Sequence, residues 1–386
     1  MIRHAVSLLL LLAVGSELTP PRPRPDTDRD NLLNLAYGAG VVSRSGELSL
    51  ENSAAHAIDG DNGTFWSTPP GGFDETMTFA LAAPSRITRV GLTVATVEGS
   101  VPQEVRFSAS GDGKTWRDVV TMNPLPADAP QFITVRPFDA RFLRVRSLAG
   151  ARYYTHIRSV HAIGRELAPA APPAPEGCWT INGIAARFVR QGARVYGELA
   201  TTPPTLVDGG IEDHLVRLQW RRGPTWGIAA LTVAGTPRTL TGVTWYEREL
   251  SPFGMGAAWF GAPASCANPP QARSIDDRRF VLYGVRFDAN DRIDAAASAA
   301  ALDAAAAFVR RAPRARVVAH EYRLANAAQN RARCVARLNA VRDALRARGI
   351  DVARIELVPS GSSVAVPAIV SELQRRVASR VEIEAR

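Results

Sequence analysis

Apolar and polar side chains alternate in short runs through the first part of the chain: ITRVGLTVAT at 87–96, EVRFSAS at 104–110, FITVRPF at 132–138 and RFLRVRSL at 141–148. A period of two marks a strand with one buried face, and turn sequences such as SGDGKTW separate the runs. Several short strands in succession predict an antiparallel β-sandwich or barrel. The alternation resumes in ARFVRQGARVYGEL, HLVRLQWRRG, TWGIAALTV and TGVTWYERE, which predict a small all-β domain. Beyond residue 278 the period changes. There VLYGVRFDAN precedes an alanine-rich helix over 294–311, begun by Asp294 as N-cap. ARVVAHE, a helix over 326–348, the strand IELVPS, a helix over 367–378 and the strand SRVEIEA follow. In the second helix Val335, Leu338, Val341 and Leu345 share one face, and Gly349 ends it. This order predicts an α+β sandwich.

Proline-rich stretches divide the chain. One occupies the linker at 16–30 and the other lies at 168–175; both favour extended, semi-rigid spacers and modules strung like beads. Three folded units result, at 31–167, 176–267 and 278–386, as befits 386 residues, too many for one ordinary core. Ahead of them, Arg3 and His4 precede an apolar run, and Ala13 and Gly15 offer a small-residue cleavage site before Ser16, so residues 1–15 read as a signal peptide. The run falls short of the ~20 residues that span a bilayer, and no later stretch supplies a transmembrane span for the mature chain. Export favours cysteine pairing. Cys178 and Cys266 bracket the middle domain and are expected to form a disulfide, leaving Cys334 as a free thiol buried on a helix.

The formal net charge is +9, almost all from arginine, since Lys114 is the only lysine. A basic exported protein meets anionic polysaccharide, lipid phosphate or acidic partners; equally, arginine fills every solvated positive site of this sequence. The arginines are dispersed, with no aromatic-interleaved basic strip, which argues against nucleic acid.

Residues 31–167 resemble the discoidin family, also called the coagulation-factor C-type domain, through NLAYGAGVVSRSG, AAHAIDGDNGTFW, SASGDGKTW and ARFLRVRS in that order. The resemblance implies a jelly-roll-like β-sandwich whose loops at one end bind sugars, lipids or proteins. It also implies a structural calcium near the AIDGD turn, for which Asp59, Asp61 and Thr64 offer the oxygen ligands a hard cation needs. Against this, His156 stands where a carboxylate would complete the shell, and a hydrogen-bonded Asp-Gly turn needs no ion. No other cofactor is implied. Trp66 and Trp116 fit core positions of the family. Phe73, Tyr153 and Tyr154 are the aromatic loop residues best suited to stack on a sugar ring.

About 105 C-terminal residues resemble the OmpA-like C-terminal family. Its members grip the peptidoglycan peptide with an aspartate of a GHTD motif and an arginine of the next helix, a planar fork that makes two parallel bonds to a carboxylate. Here the strand end reads AHEY, Ala319 to Tyr322, and the helix reads NRARCVARL. Asn330 and Arg337 match the family pattern, Arg380 matches a basic position, and His320 is retained, but Tyr322 stands where the aspartate should be. Losing one partner of a desolvated ionic contact costs about 2 to 5 kcal/mol, so peptidoglycan binding is expected to be weakened. Glu321 is the one nearby substitute, and as the neighbour of Tyr322 on a strand it should face the opposite side.

Catalytic patterns are missing: HEYRL is not H-E-x-x-H, and there is no G-x-S-x-G elbow, Walker-type loop or C-x-x-C. The middle domain holds Trp179, Trp220, Trp226, Trp245 and Trp259, expected to be mostly core. Its Glu247 and Glu249 share a strand face as a glycosidase pair would, an arrangement that is usually solvated surface. His156 and His161 are spaced poorly for shared metal ligation. The expectation is a non-catalytic, exported envelope adaptor, periplasmic or outer-membrane-associated, that binds cell-envelope polysaccharide, peptidoglycan or envelope proteins. The alternatives are an exported carbohydrate-active hydrolase with a catalytic middle domain, and a scaffold that binds only proteins.

Overall fold

The computed structural model describes residues 31–386 except 73, 98, 150–152, 251–253, 268–269, 271–274, 276–278, 323–325 and 362–370. The expected leader and first linker, and Phe73, lie outside the described residues.

The N-terminal module is a seven-stranded sandwich of β1 (Gly40–Arg44), β2 (Trp66–Ser67), β3 (Thr76–Val94), β4 (Glu104–Ser110), β5 (Arg117–Met122), β6 (Gln131–Ala149) and β7 (His156–Glu166). The order is β2-β7-β3-β6-β4-β5, with β1 also on β3, and every pairing is antiparallel. The alternation seen in sequence sends Phe79, Leu92, Phe107, Leu143 and Val160 inward. Trp66 is buried among them, and its indole N–H donates to the Gly46 carbonyl at 3.1 Å.

The middle domain is a closed antiparallel barrel of β8 (Gly177–Ile181), β9 (Ile184–Gln191), β10 (Arg194–Leu199), β11 (Thr205–Glu212), β12 (Leu215–Arg222), β13 (Thr225–Ala234), β14 (Thr239–Tyr246) and β15 (Ala257–Pro263). Each strand pairs with the next, and β15 returns to β8. Eight strands leave an interior just wide enough for side chains. Trp179, Phe188, Val195, Val207, Leu218, Trp220, Leu231 and Leu240 fill it. Space for the two indoles comes from glycine: a Cβ on Gly227 would lie 2.5 Å from the Trp220 ring. The closing β15–β8 seam has three paired residues, and the Cys178–Cys266 disulfide clips it, as expected.

The C-terminal module has the sheet order β16-β19-β17-β18, from β16 (Arg279–Val281), α1 (Ala295–Arg310), β17 (Ala315–His320), α2 (Ala327–Arg346), β18 (Ile355–Gly361), α3 (Glu372–Ala378) and β19 (Arg380–Ala385). Asp294 caps α1 and accepts from the Ala297 N–H. Two expectations need correction. On α2 the buried face is Cys334, Leu338, Val341 and Leu345, while Val335 is 43% exposed, because 334 stands one, two and three whole turns from 338, 341 and 345 and 335 is rotated about 100° off that line. The last helix begins at Glu372, not 367, where Ser371 and Gln374 form a capping box. Cys334 is free and buried, and burial raises its thiol pKa to about 11.

The modules are not beads. Outward-facing residues of the barrel, Leu215, Trp226, Ile228, Ala230, Val243, Trp245, Ala258 and Phe260, join one core with Leu33, Leu35 and Val41 of the N-terminal module and with Tyr283, Leu373 and Val377 of the C-terminal one. Polar contacts cross the same junctions. Thr241 Oγ1 accepts from Val41 N at 2.9 Å, and Arg217 donates to the carbonyls of Arg376 and Ser379 at 2.7 and 3.0 Å. The proline-rich stretch lies against the barrel, where Trp179 Nε1 donates to Pro175 O and Arg238 to Ala174 O. Alternating strands with apolar residues on both faces are what a barrel buried on one side requires. Among the described residues no helix is long and apolar enough to cross a membrane.

Because the disulfide closes 88 residues and the barrel's shortest seam, its reduction is expected to lower stability by about 4 kcal/mol. Thermal unfolding with and without reductant tests this, and an unchanged midpoint would contradict it.

Candidate functional site

Four turns of the N-terminal module converge through their own hydrogen bonds. Tyr153 N donates to Gly99 O and His156 N to Ser100 O, which ties the start of β7 to the turn after β3. Arg158 donates to the Asn62 carbonyl and pairs with Asp128 at 3.4 Å, while Thr96 Oγ1 donates to Asp128 at 3.2 Å. On this end Tyr153 is 51% exposed and Val97 54%. Tyr154 stacks on the His156 ring at 5.7 Å, and Phe65 packs on it at 4.8 Å. An exposed aromatic ring on the same end of the module as carboxylate, hydroxyl and guanidinium groups suits a polyhydroxylated ligand, which offers an apolar ring face and a rim of donors and acceptors.

The Asp59–Thr64 turn does not fit a calcium shell. Every carboxylate oxygen already faces an N–H or O–H donor: Asp59 takes Asp61 N and Thr64 Oγ1, and Asp61 takes Gly63 N and the Gln374 side-chain amide. His156, which stands where a further carboxylate ligand would be needed, is turned into its aromatic stack. Trp116 is half-buried beneath the Arg144 guanidinium at 3.9 Å. His161 is apart from His156, buried between Thr93 and Asn31.

In the C-terminal module, Asn330, Tyr322 and Arg337 are buried and His320 largely so. Arg337 is held within the chain: its Nε lies 2.9 Å from Asp291 and its NH1 2.8 Å from Glu321. The expectation that Glu321 faces away is overturned. β17 ends at His320 with a bulge against β18, so strand alternation no longer governs Glu321, whose other oxygen accepts from Ser379 Oγ at 2.8 Å. Arg333 joins the same Asp291 at 2.8 Å. Arg380, the register partner of His320, is bound to Glu382 at 2.5 Å. Beside this cluster a cavity of about 370 Å³ opens between Glu212, Asp213 and Arg217 of the barrel and Tyr283, Arg286 and Arg333 of the C-terminal module. Asp291 carried no signal in the sequence because the pairing joins residues 46 apart.

In the barrel, Glu247 and Glu249 do not share a strand face. They form a single 3-10 turn after β14, in which Glu249 accepts from Tyr246 N and Glu247 lies 3.7 Å from Arg279. Trp179, Trp220, Trp226 and Trp245 are core, and Trp259 is partly buried. Among the described residues no three His, Cys, Asp or Glu side chains are grouped to hold a metal.

Residues 41–160 match the family model of the F5/8 type C domain, and the N-terminal module is a domain of that type. Solved structures similar to this chain include the C-terminal domain of a chitobiase from Bacteroides fragilis. It shares 21% identity over 33% of this chain and 94% of that one, with a TM-score of 0.31. A family 32 carbohydrate-binding module from Clostridium perfringens NanJ, in complex with galactose, shares 15% over 32% and 98%, with a TM-score of 0.29. A chitosan-binding module from a Paenibacillus chitosanase/glucanase shares 21% over 35% and 98%, with a TM-score of 0.30. Comparison with curated proteins found no match.

Replacing Arg337 by Ala leaves Glu321 and Asp291 short of a buried partner, and is expected to cost about 3 kcal/mol of stability in chemical denaturation. A variant as stable as the wild type would contradict this. Burial also lowers His56, His161 and His320 to about 4. Between about pH 6.5 and pH 4 the unfolded chain therefore binds protons that the folded chain refuses, so stability is full above this window and falls as pH drops through it. Melting temperatures from pH 7.5 to 4 check the sign, and a rise on acidification would refute it.

Proposed function

We propose that this is an exported, non-catalytic binding protein of a cell envelope, periplasmic or outer-membrane-associated, whose F5/8 type C module takes a polysaccharide. The observation that carries this is the convergent loop end of that module, where Tyr153 is exposed and where Thr96, Asp128, Arg158 and Asn62 are tied to one another. Chitosan-binding and galactose-bound modules stand among its similar structures, which accords with a glycan ligand. The leader sequence and the disulfide support export to an oxidising compartment.

On this reading the barrel and C-terminal module form the body that carries the glycan-binding end. A filled barrel interior leaves no room for a substrate, and the Arg337 fork is engaged by Asp291 and Glu321, which accords with weak or absent peptidoglycan capture by that pair.

The test is retention of the full chain on insoluble chitin, chitosan, peptidoglycan and galactose-substituted agarose, with elution by the matching soluble glycan. Tyr153→Ala is expected to weaken the retained interaction by about tenfold, the contribution of one aromatic face. Retention on none of the four matrices, or retention that soluble glycan does not release, would sink the proposal and favour a protein-only scaffold.

A further inference from the structure

The most specific link between distant parts of the chain joins α3 to the Asp59–Thr64 turn. Gln374 is 3% exposed, and its Nε2 donates to Asp61 Oδ2 at 2.8 Å across 313 residues. Its Oε1 faces back to Ser371 N at 3.5 Å, while its own backbone N–H donates to Ser371 Oγ at 3.1 Å, the two halves of the capping box. A capping box accepts Glu or Gln at this position, but only Gln offers a donor on the other side. Glutamate would complete the cap and set a second carboxylate against Asp61.

From Asp61 the contacts run on to the loop end. Asp61 Oδ1 accepts from Gly63 N, and Thr64 Oγ1 donates to the Asp61 carbonyl and to Asp59. The intervening Asn62 accepts from Arg158 through its carbonyl and from Ser159 Oγ through its side chain. Arg158 reaches Asp128, which also takes Thr96, and the turn holding Thr96 continues to Gly99 and Ser100, the acceptors for Tyr153 N and His156 N. Apolar packing fixes the origin of this chain of contacts, since Leu373 and Val377 of α3 lie in the core shared with Leu35 and Trp226.

We infer that Gln374 is a positioning residue for the ligand-binding loops of the N-terminal module, supplying from the C-terminal module the donor that organises the Asp59–Thr64 turn. The F5/8 type C domain of this chain then holds its binding end in shape as part of the three-module body. That the positioned loops face a glycan rests on the function proposed above; that they are positioned by Gln374 does not.

Amide hydrogen exchange on the full, unliganded chain tests the coupling. In Gln374→Glu, which keeps the cap and reverses the contact, the amides of Thr64, Ser100 and Tyr153 are expected to exchange about tenfold faster. Ser371→Ala, which weakens the cap and keeps the contact, is expected to leave them unchanged. The double variant Asp61→Asn with Gln374→Glu exchanges donor for acceptor across the same pair and is expected to restore near-wild-type rates. Loops unchanged in Gln374→Glu, or a double variant as fast as the single, would overturn the inference. If Gln374→Glu does not fold, the double variant decides alone: wild-type rates support the inference and fast rates refute it. Retention of the same variants on the four matrices separates the two claims, because a wild type that binds none of them defeats the glycan reading and leaves the exchange result standing.

Discussion

A closed antiparallel barrel has no free edge through which to pair with another sheet, so its neighbours can be held only by side chains on its outer surface. In this protein that surface is apolar along β13 to β15, and both neighbouring modules pack on it. Trp226, Ile228, Val243, Trp245 and Phe260 share one core with residues of the N-terminal module, and Tyr283, Leu373 and Val377 reach the same core from the C-terminal module. Along β13 to β15 the barrel is dry on both faces: one set of alternate residues fills its lumen and the other seals its contacts. Its tryptophan content follows from that demand, with Trp179 and Trp220 inside and Trp226 and Trp245 outside.

Burial on this scale fixes the polar chemistry around it. Arg194 and Asp208 pair at 2.5 Å on adjacent strands, and Arg217 reaches Glu212 at 2.6 Å as well as carbonyls of the C-terminal module. In that module Arg337, Arg333, Asp291 and Glu321 satisfy one another. Leaving any of these charges alone in a desolvated junction would be costly, so Arg337, expected from the sequence to meet a ligand, is engaged by carboxylates of its own chain. The module nevertheless retains the chain's whole net charge: residues 278–386 hold 20 Arg against 11 Asp and Glu, a difference of 9.

The legible parts of the fold were those that local pattern decides. Period-two runs located β3, β4, β6 and most barrel strands, Asp294 marked the start of α1, and the bracketing cysteines marked a disulfide. Local pattern failed where a neighbour took control. Val335 looked apolar enough for the α2 face, but Cys334 holds that place, and Glu247 and Glu249 fell in a turn rather than on a strand. At the loop end, Tyr153 and Tyr154 were recognisable as loop aromatics, whereas Asp128, Arg158 and Asn62 bore no local mark, since their association joins two separate turns and the start of β7.

By itself the sequence determined the module order, the strand and helix content, the disulfide partners and the resemblance of residues 31–167 to a binding domain, because each depends on residues near one another or on motif order. Only the tertiary structure decided that the modules share a core, that Glu321 and Asp291 claim Arg337, and that Gln374 reaches Asp61. These outcomes turn on which distant surfaces must leave water together, and that selection is made when the whole chain packs.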